Sequence, residues 1–119
     1  MATSPSPDAI HFYRGDLPAH VTFSGSVAVD TETMGLNPHR DRLCLVQLSG
    51  GDGHAHLVQM PKGAQAADCP NLVRVLADPA LPKLMHFARF DVAILQHTLG
   101  ITVAPAICTK IASKLVRTY

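Results

Sequence analysis

The fold turns on the stretch Val27-Ala28-Val29-Asp30-Thr31-Glu32-Thr33-Met34-Gly35-Leu36. A short apolar run ends in two carboxylates separated by one residue, and a polar, glycine-containing loop follows at once. Read as a strand over Val27 to Glu32, its side chains alternate between two faces. Asp30 and Glu32 then share one face and Thr31 takes the other. Two carboxylates at the exit of a buried strand repel each other unless a cation lies between them. A hard divalent ion such as Mg²⁺ or Mn²⁺ is the natural partner, because it prefers oxygen ligands. On these residues alone, a metal site and a pair of solvated acids at a strand end both stand open.

The rest of the chain sets the bounds. Its 119 residues suit one domain with one core. A hydrophobic fraction of 47% and a mean hydropathy of +0.16 argue for a folded chain rather than a disordered one. The formal net charge is +1, so no global field attracts a polyanion. Any phosphate binding must come from local basic residues or from metal ions. No apolar run approaches the length of a membrane span. Met1 to Asp8 is Ser/Pro-rich and lacks the basic and apolar regions of a signal peptide, so the expected compartment is the cytoplasm. Residues 1–9 are expected to form a flexible tail. Cys44, Cys69 and Cys108 are widely spaced and form no CxxC pair, which points to isolated thiols. His54 and His56 lie in a predicted strand without a third ligand nearby and read as surface residues.

Outward from the opening stretch, Ile10 to Arg14 reads as a short strand and Gly15-Asp16-Leu17-Pro18 as a turn. Leu43 to Ser49 is mostly apolar, as expected of a central strand covered on both faces. Gly50-Gly51-Asp52-Gly53 predicts a hairpin turn, and His54 to Met60 then pairs back as an edge strand. Three consecutive antiparallel strands result. Asn71 is the predicted N-cap of a helix through about Ala77, with Leu72, Val75 and Leu76 on its apolar face. Lys83 to His86 is a predicted strand. Arg89 to Leu99 is a predicted helix closed by Gly100. Ile101 to Ile107 is extended, and Thr109 to Tyr119 begins another helix. The pattern predicts an α/β fold built on a mixed sheet flanked by helices.

The second informative stretch is Lys83-Leu84-Met85-His86-Phe87-Ala88-Arg89-Phe90-Asp91. It places Asp91 in the first turn of a helix, where the dipole favours an acid. Alone, Asp91 reads as a plain helix-start residue. With Asp30 and Glu32, three acids can converge at one end of the sheet. Here the chain resembles a known family. Val29-Asp30-Thr31-Glu32-Thr33-x-Gly35-Leu36 is similar to the first motif of the DEDD 3′–5′ exonucleases, and His86-x-x-x-x-Asp91 to the second motif in its ribonuclease D form. Leu45-Val46-Gln47-Leu48-Ser49 resembles the strand after the first motif. The stretches Asn37 to Cys44 and Cys108 to Leu115 are similar to the short, single-domain nanoRNase C type. The resemblance runs from Ile10 to Tyr119 and implies a ribonuclease H-like fold.

It also implies two-metal hydrolysis of a terminal phosphodiester in short RNA, with Mg²⁺ or Mn²⁺ as cofactor. By resemblance, Asp30 bridges both ions, Glu32 binds the water-activating ion and Asp91 holds the second. The family's third motif, Tyr-x-x-x-Asp, is absent after Asp91. The chain is therefore expected to be the N-terminal part of such a domain, carrying three of four acids. Metal binding should be weak and turnover poor. Thr31, Leu36, Gln47, His86, Phe87 and Arg89 are the substrate-binding candidates. Leu36 takes the place of an apolar wedge against the terminal bases, and Phe87 or Phe90 could stack on a base, although Phe90 fits the apolar stripe of its helix. Arg89 and the series Lys110, Lys114, Arg117 could track phosphates or form a solvated helix face. RNA is the expected partner, DNA stays open, and the family's short members form ring-like homo-oligomers. The competing reading is a nuclease-fold fragment that binds nucleic acid or partner subunits without cleaving. Glycoside hydrolysis is disfavoured, because Asp30 and Glu32 share one strand face rather than flanking a cleft.

Overall fold

The strand that carries the paired acids is interior to a six-stranded sheet. The computed structural model describes residues 9–35, 41–86 and 88–108. Most of the predicted tail, Leu36, Phe87 and the predicted helix with Lys110, Lys114 and Arg117 lie outside the described residues. In chain order the elements are β1 (Ile10–Arg14), β2 (Val27–Thr33), β3 (Leu43–Ser49), β4 (Ala55–Gln59), α1 (Pro70–Ala77), β5 (Lys83–Met85), α2 (Ala88–Leu99) and β6 (Ala106–Cys108). The sheet order is β1-β4-β3-β2-β5-β6. The β2–β3 and β3–β4 pairs are antiparallel, while β1–β4, β2–β5 and β5–β6 are parallel. This is the predicted mixed α/β sheet.

One strand sits differently from its prediction. The His54 to Met60 segment is not an edge, because β1 lies alongside it with Ile10 opposite Ala55. Parallel pairing of β1 with β4 spans two intervening strands, and local turn signals carry no trace of it. Side chains tie the two strands together. His11 and His54 share a hydrogen bond of 3.0 Å between ring nitrogens. Tyr13 Oη lies 2.9 Å from His56 Nδ1. The rings of His11 and His56 stack with centroids 5.0 Å apart.

Helix α1 also begins differently. Pro70 opens it and Asn71 lies inside the first turn. The free N–H groups there are satisfied by a distant residue. Asp16 accepts from the backbone N–H of Asn71 at 3.1 Å and of Leu72 at 2.8 Å. A proline at the first helical position has no N–H to satisfy, so the carboxylate serves the next two. Leu72, Val75 and Leu76 are buried as predicted. They share one core with Val27, Val29, Val46, Leu48 and Val58 from the sheet and with Ile94, Leu95 and Leu99 from α2. Of the extended run after Gly100, only Ala106–Cys108 pairs, with β5.

Candidate active site

Strands β2 and β5 pair only at Val27–Lys83 and Ala28–Leu84. Among the described residues, β2 runs on beyond Ala28 without a strand on that side, and α2 begins three residues after β5. A cleft opens there, at the carboxyl ends of two parallel strands, which is where open α/β sheets bind ligands. The cavity has a volume of about 750 Å³, and its lining includes Asp30, Thr31, Gln47, His86, Phe90 and Asp91.

Alternation along β2 sets the roles. Val27 and Val29 are buried, while Ala28, Asp30 and Glu32 are exposed. Asp30 Oδ1 accepts the backbone N–H of Thr31 at 3.0 Å, and its cross-strand partner is Gln47. Those two residues meet at the cavity because directly opposed residues in a ladder share a face. Thr31 takes the other side, and its hydroxyl donates to Asp91 Oδ1.

Asp91 lies in the first turn of α2 and is only 4% exposed. Its Oδ2 is buried with no hydrogen-bond partner among the described residues. Burial pushes the Asp91 carboxyl up to about 6, and the nearby charge of Asp30 adds to the rise; the Thr31 hydroxyl and His86 pull the other way. A buried carboxylate with one unsatisfied oxygen is costly and calls for a positive partner. All the acidic donors at this end of the sheet are oxygens, as a hard divalent cation requires. In that respect the residues fit Mg²⁺ or Mn²⁺.

The structure brings Asp30, Asp91, Thr31, Gln47 and His86 to one cavity. Glu32 is exposed opposite Leu45 and does not line it. Among the described residues, no group of three or more His, Cys, Asp or Glu is arranged to hold a metal ion. Arg89 is exposed on α2, outside the cavity lining. Leu36 and Phe87 lie outside the described residues. Phe90 packs against the core and also lines the cavity. Ser49 and Leu84, which are not among the candidate site residues, also line it, with Ala28 and Val29. Their signal is register, since both lie opposite Ala28 on flanking strands. A Cβ at the motif glycine, Gly35, would meet the Asp41 carboxylate, the far end of a side chain that would have to shift aside, while Thr33 Oγ1 donates to the Gly35 carbonyl.

A mixed sheet in this order, with acids at the carboxyl end of its central strand, has the ribonuclease H-like architecture of solved exonucleases. The chain belongs to the 3′–5′ exonuclease family, which it matches over residues 15–118. It is 33% identical over 87 residues to the ribonuclease D of Acidiphilium cryptum (strain JF-5), covering 73% of this chain and 21% of that protein. It also resembles the solved Brucella melitensis NrnC. The NrnC structure bound to pGG is 52% identical with a TM-score of 0.83, covering 93% of this chain and 54% of that one. A structure of the same NrnC with bound Mg²⁺ also has a TM-score of 0.83, at 52% identity, covering 93% of this chain and 55% of that one. The chain therefore spans about half the length of the solved relatives and about a fifth of the ribonuclease D. No helix among the described residues is long and apolar enough to cross a membrane.

Proposed function

We propose that this chain carries the metal-binding half of a 3′–5′ exoribonuclease site that removes nucleotides from short RNA. The observation that carries the reading is the buried Oδ2 of Asp91, which has no hydrogen-bond partner among the described residues and lies in the same cavity as Asp30. Asp30 and Asp91, which share the cavity, would hold Mg²⁺ or Mn²⁺. Bound divalent ions, two in this family's chemistry, lower the pKa of the attacking water and balance charge on the leaving 3′-oxygen. The protein's own groups do the rest. Gln47 offers amide donors beside Asp30, and His86 places an imidazole at the cavity wall, both suited to a phosphate. Phe90 presents an aromatic face at the cavity on which a base can stack. The pGG bound by Brucella NrnC supports a short oligonucleotide as ligand.

A second reading has its own support. With no three-ligand cluster among the described residues, the chain binds nucleic acid without cleaving it. One experiment separates the two. A 5′-labelled oligoribonucleotide is incubated with the chain and Mn²⁺, with and without EDTA, and with the Asp30→Asn variant. The first reading expects stepwise shortening from the 3′ end that EDTA abolishes and that Asp30→Asn lowers by about 100-fold or more. Retarded but intact RNA would favour the second reading, and EDTA-resistant shortening would contradict the metal mechanism.

A further inference from the structure

We propose that Thr31 is the positioning residue of this site: its hydroxyl holds Asp91 Oδ1 so that the buried Oδ2 is presented to a divalent cation. The inference deepens the proposed function and rests on its metal reading. Thr31 sits between Asp30 and Glu32 and projects to the opposite side of β2. That side is where α2 packs, since Ile94 and Leu95 share a core with Val27 and Val29. The acid on α2 and the hydroxyl on β2 therefore meet directly.

The stoichiometry of the contact supports more than a tether. A hydroxyl has one hydrogen to donate, and a carboxylate has two oxygens. Thr31 satisfies one of them and leaves the other buried without a donor among the described residues. A contact serving stability alone would be better made with both oxygens paired, because a half-satisfied buried carboxylate destabilises the fold. Thr31 is next in sequence to Asp30, so the bond sets the spacing between the acid of the helix and the acid of the strand. A β-branched residue in a strand is stiff at χ1, which fixes the direction of the donor.

The test measures Mn²⁺ binding to the full chain, by the loss of the free-ion electron paramagnetic resonance signal. Circular dichroism on each protein verifies folding. Thr31→Val keeps shape and strand preference but removes the donor, and Thr31→Ser keeps the donor. The valine variant is expected to bind Mn²⁺ about 10- to 100-fold more weakly, and the serine variant to recover most of that loss. Parent-like binding by Thr31→Val overturns the role, as does equal weakening in both variants. Asp91→Asn separates this failure from failure of the underlying reading. If Asp91→Asn loses binding while Thr31→Val keeps it, only the Thr31 role falls. If the parent binds no Mn²⁺, or Asp91→Asn binds as tightly as the parent, the metal reading falls and the Thr31 role with it. Should the valine variant unfold, Thr31→Ala takes its place, with the same outcomes deciding.

Discussion

Two charged side chains are buried among the described residues, and they are built in opposite ways. Lys83 on β5 is fully buried, and its ammonium donates to two backbone carbonyls, Asp78 O and, at 3.2 Å, Ala104 O. It fastens the turn after α1 to the chain entering β6. Asp91, on the helix that follows, has one oxygen paired and the other orphaned. Burial disfavours the charge of both, pulling the Lys83 ammonium down and pushing the Asp91 carboxyl up. Among the described residues, only the lysine has hydrogen-bond partners that leave no buried polar atom of its side chain unpaired. A buried charge whose hydrogen bonds are made ties together the segments around it, while one left short is a candidate for binding a ligand.

Substitutions at the two sites should therefore differ in sign. Lys83→Met leaves two buried carbonyls without a donor and should lower stability by about 3 kcal/mol. A urea titration reads this, and Mn²⁺ affinity should stay unchanged wherever the variant is folded. Asp91→Asn removes the strained charge. A carboxyl moved from 3.8 to about 6 disfavours folding by nearly 3 kcal/mol at neutral pH, at about 1.4 kcal/mol per unit. Part of that is offset, because the amide accepts a weaker bond from Thr31 and its Nδ2 takes the buried position that has no partner among the described residues. The variant should gain on the order of 2 kcal/mol of stability at pH 7.

The pH dependence sharpens the contrast. The folded-state pKa of Asp91 is raised, so its contribution to stability is fully present below the ordinary carboxylate value and lost as pH rises through about 6. His56 behaves in the opposite sense. Burial and the neighbouring His11 hold its imidazole below the ordinary value. The stability it contributes is present above about 6.5 and lost as pH falls. Between pH 7 and 5 the two oppose each other. Urea midpoints of Asp91→Asn should accordingly fall more steeply with acid than those of the parent; parallel curves would contradict the assignment. The smallest effect belongs to Arg89. It is exposed, so Arg89→Ala should move stability by less than about 0.5 kcal/mol. If it contacts a phosphate, the salt slope of RNA affinity should fall by about one; an unchanged slope excludes the contact.

What the sequence revealed, and what it did not, follows the range of the interactions. The strands Leu43–Ser49 and Ile10–Arg14 end where their apolar patterns and turn residues end, because those signals are local. The antiparallel order of the strands followed from local turn signals, while the register that sets Asp30 opposite Gln47 is supplied by the structure. The place of β1 beside β4, the capping of α1 by Asp16 and the bond from Thr31 to Asp91 join residues more than forty positions apart. No propensity or spacing encodes them. Glu32 shows the limit of periodicity. It shares the face of Asp30, yet the register shift between Glu32 and Thr33 falls at that point of the strand, and the cavity lining includes Asp30 without it.

The central claim is that Asp91 stays charged and underpaired because a cation completes it. Thermal unfolding of the parent and of Asp91→Asn, each with and without Mn²⁺, tests this directly. A ligand that binds only the folded state raises its melting temperature. Mn²⁺ should raise the midpoint of the parent and not that of Asp91→Asn, and without Mn²⁺ the variant should melt above the parent. Equal stabilisation of both proteins by Mn²⁺, with no gain in the metal-free variant, would contradict it.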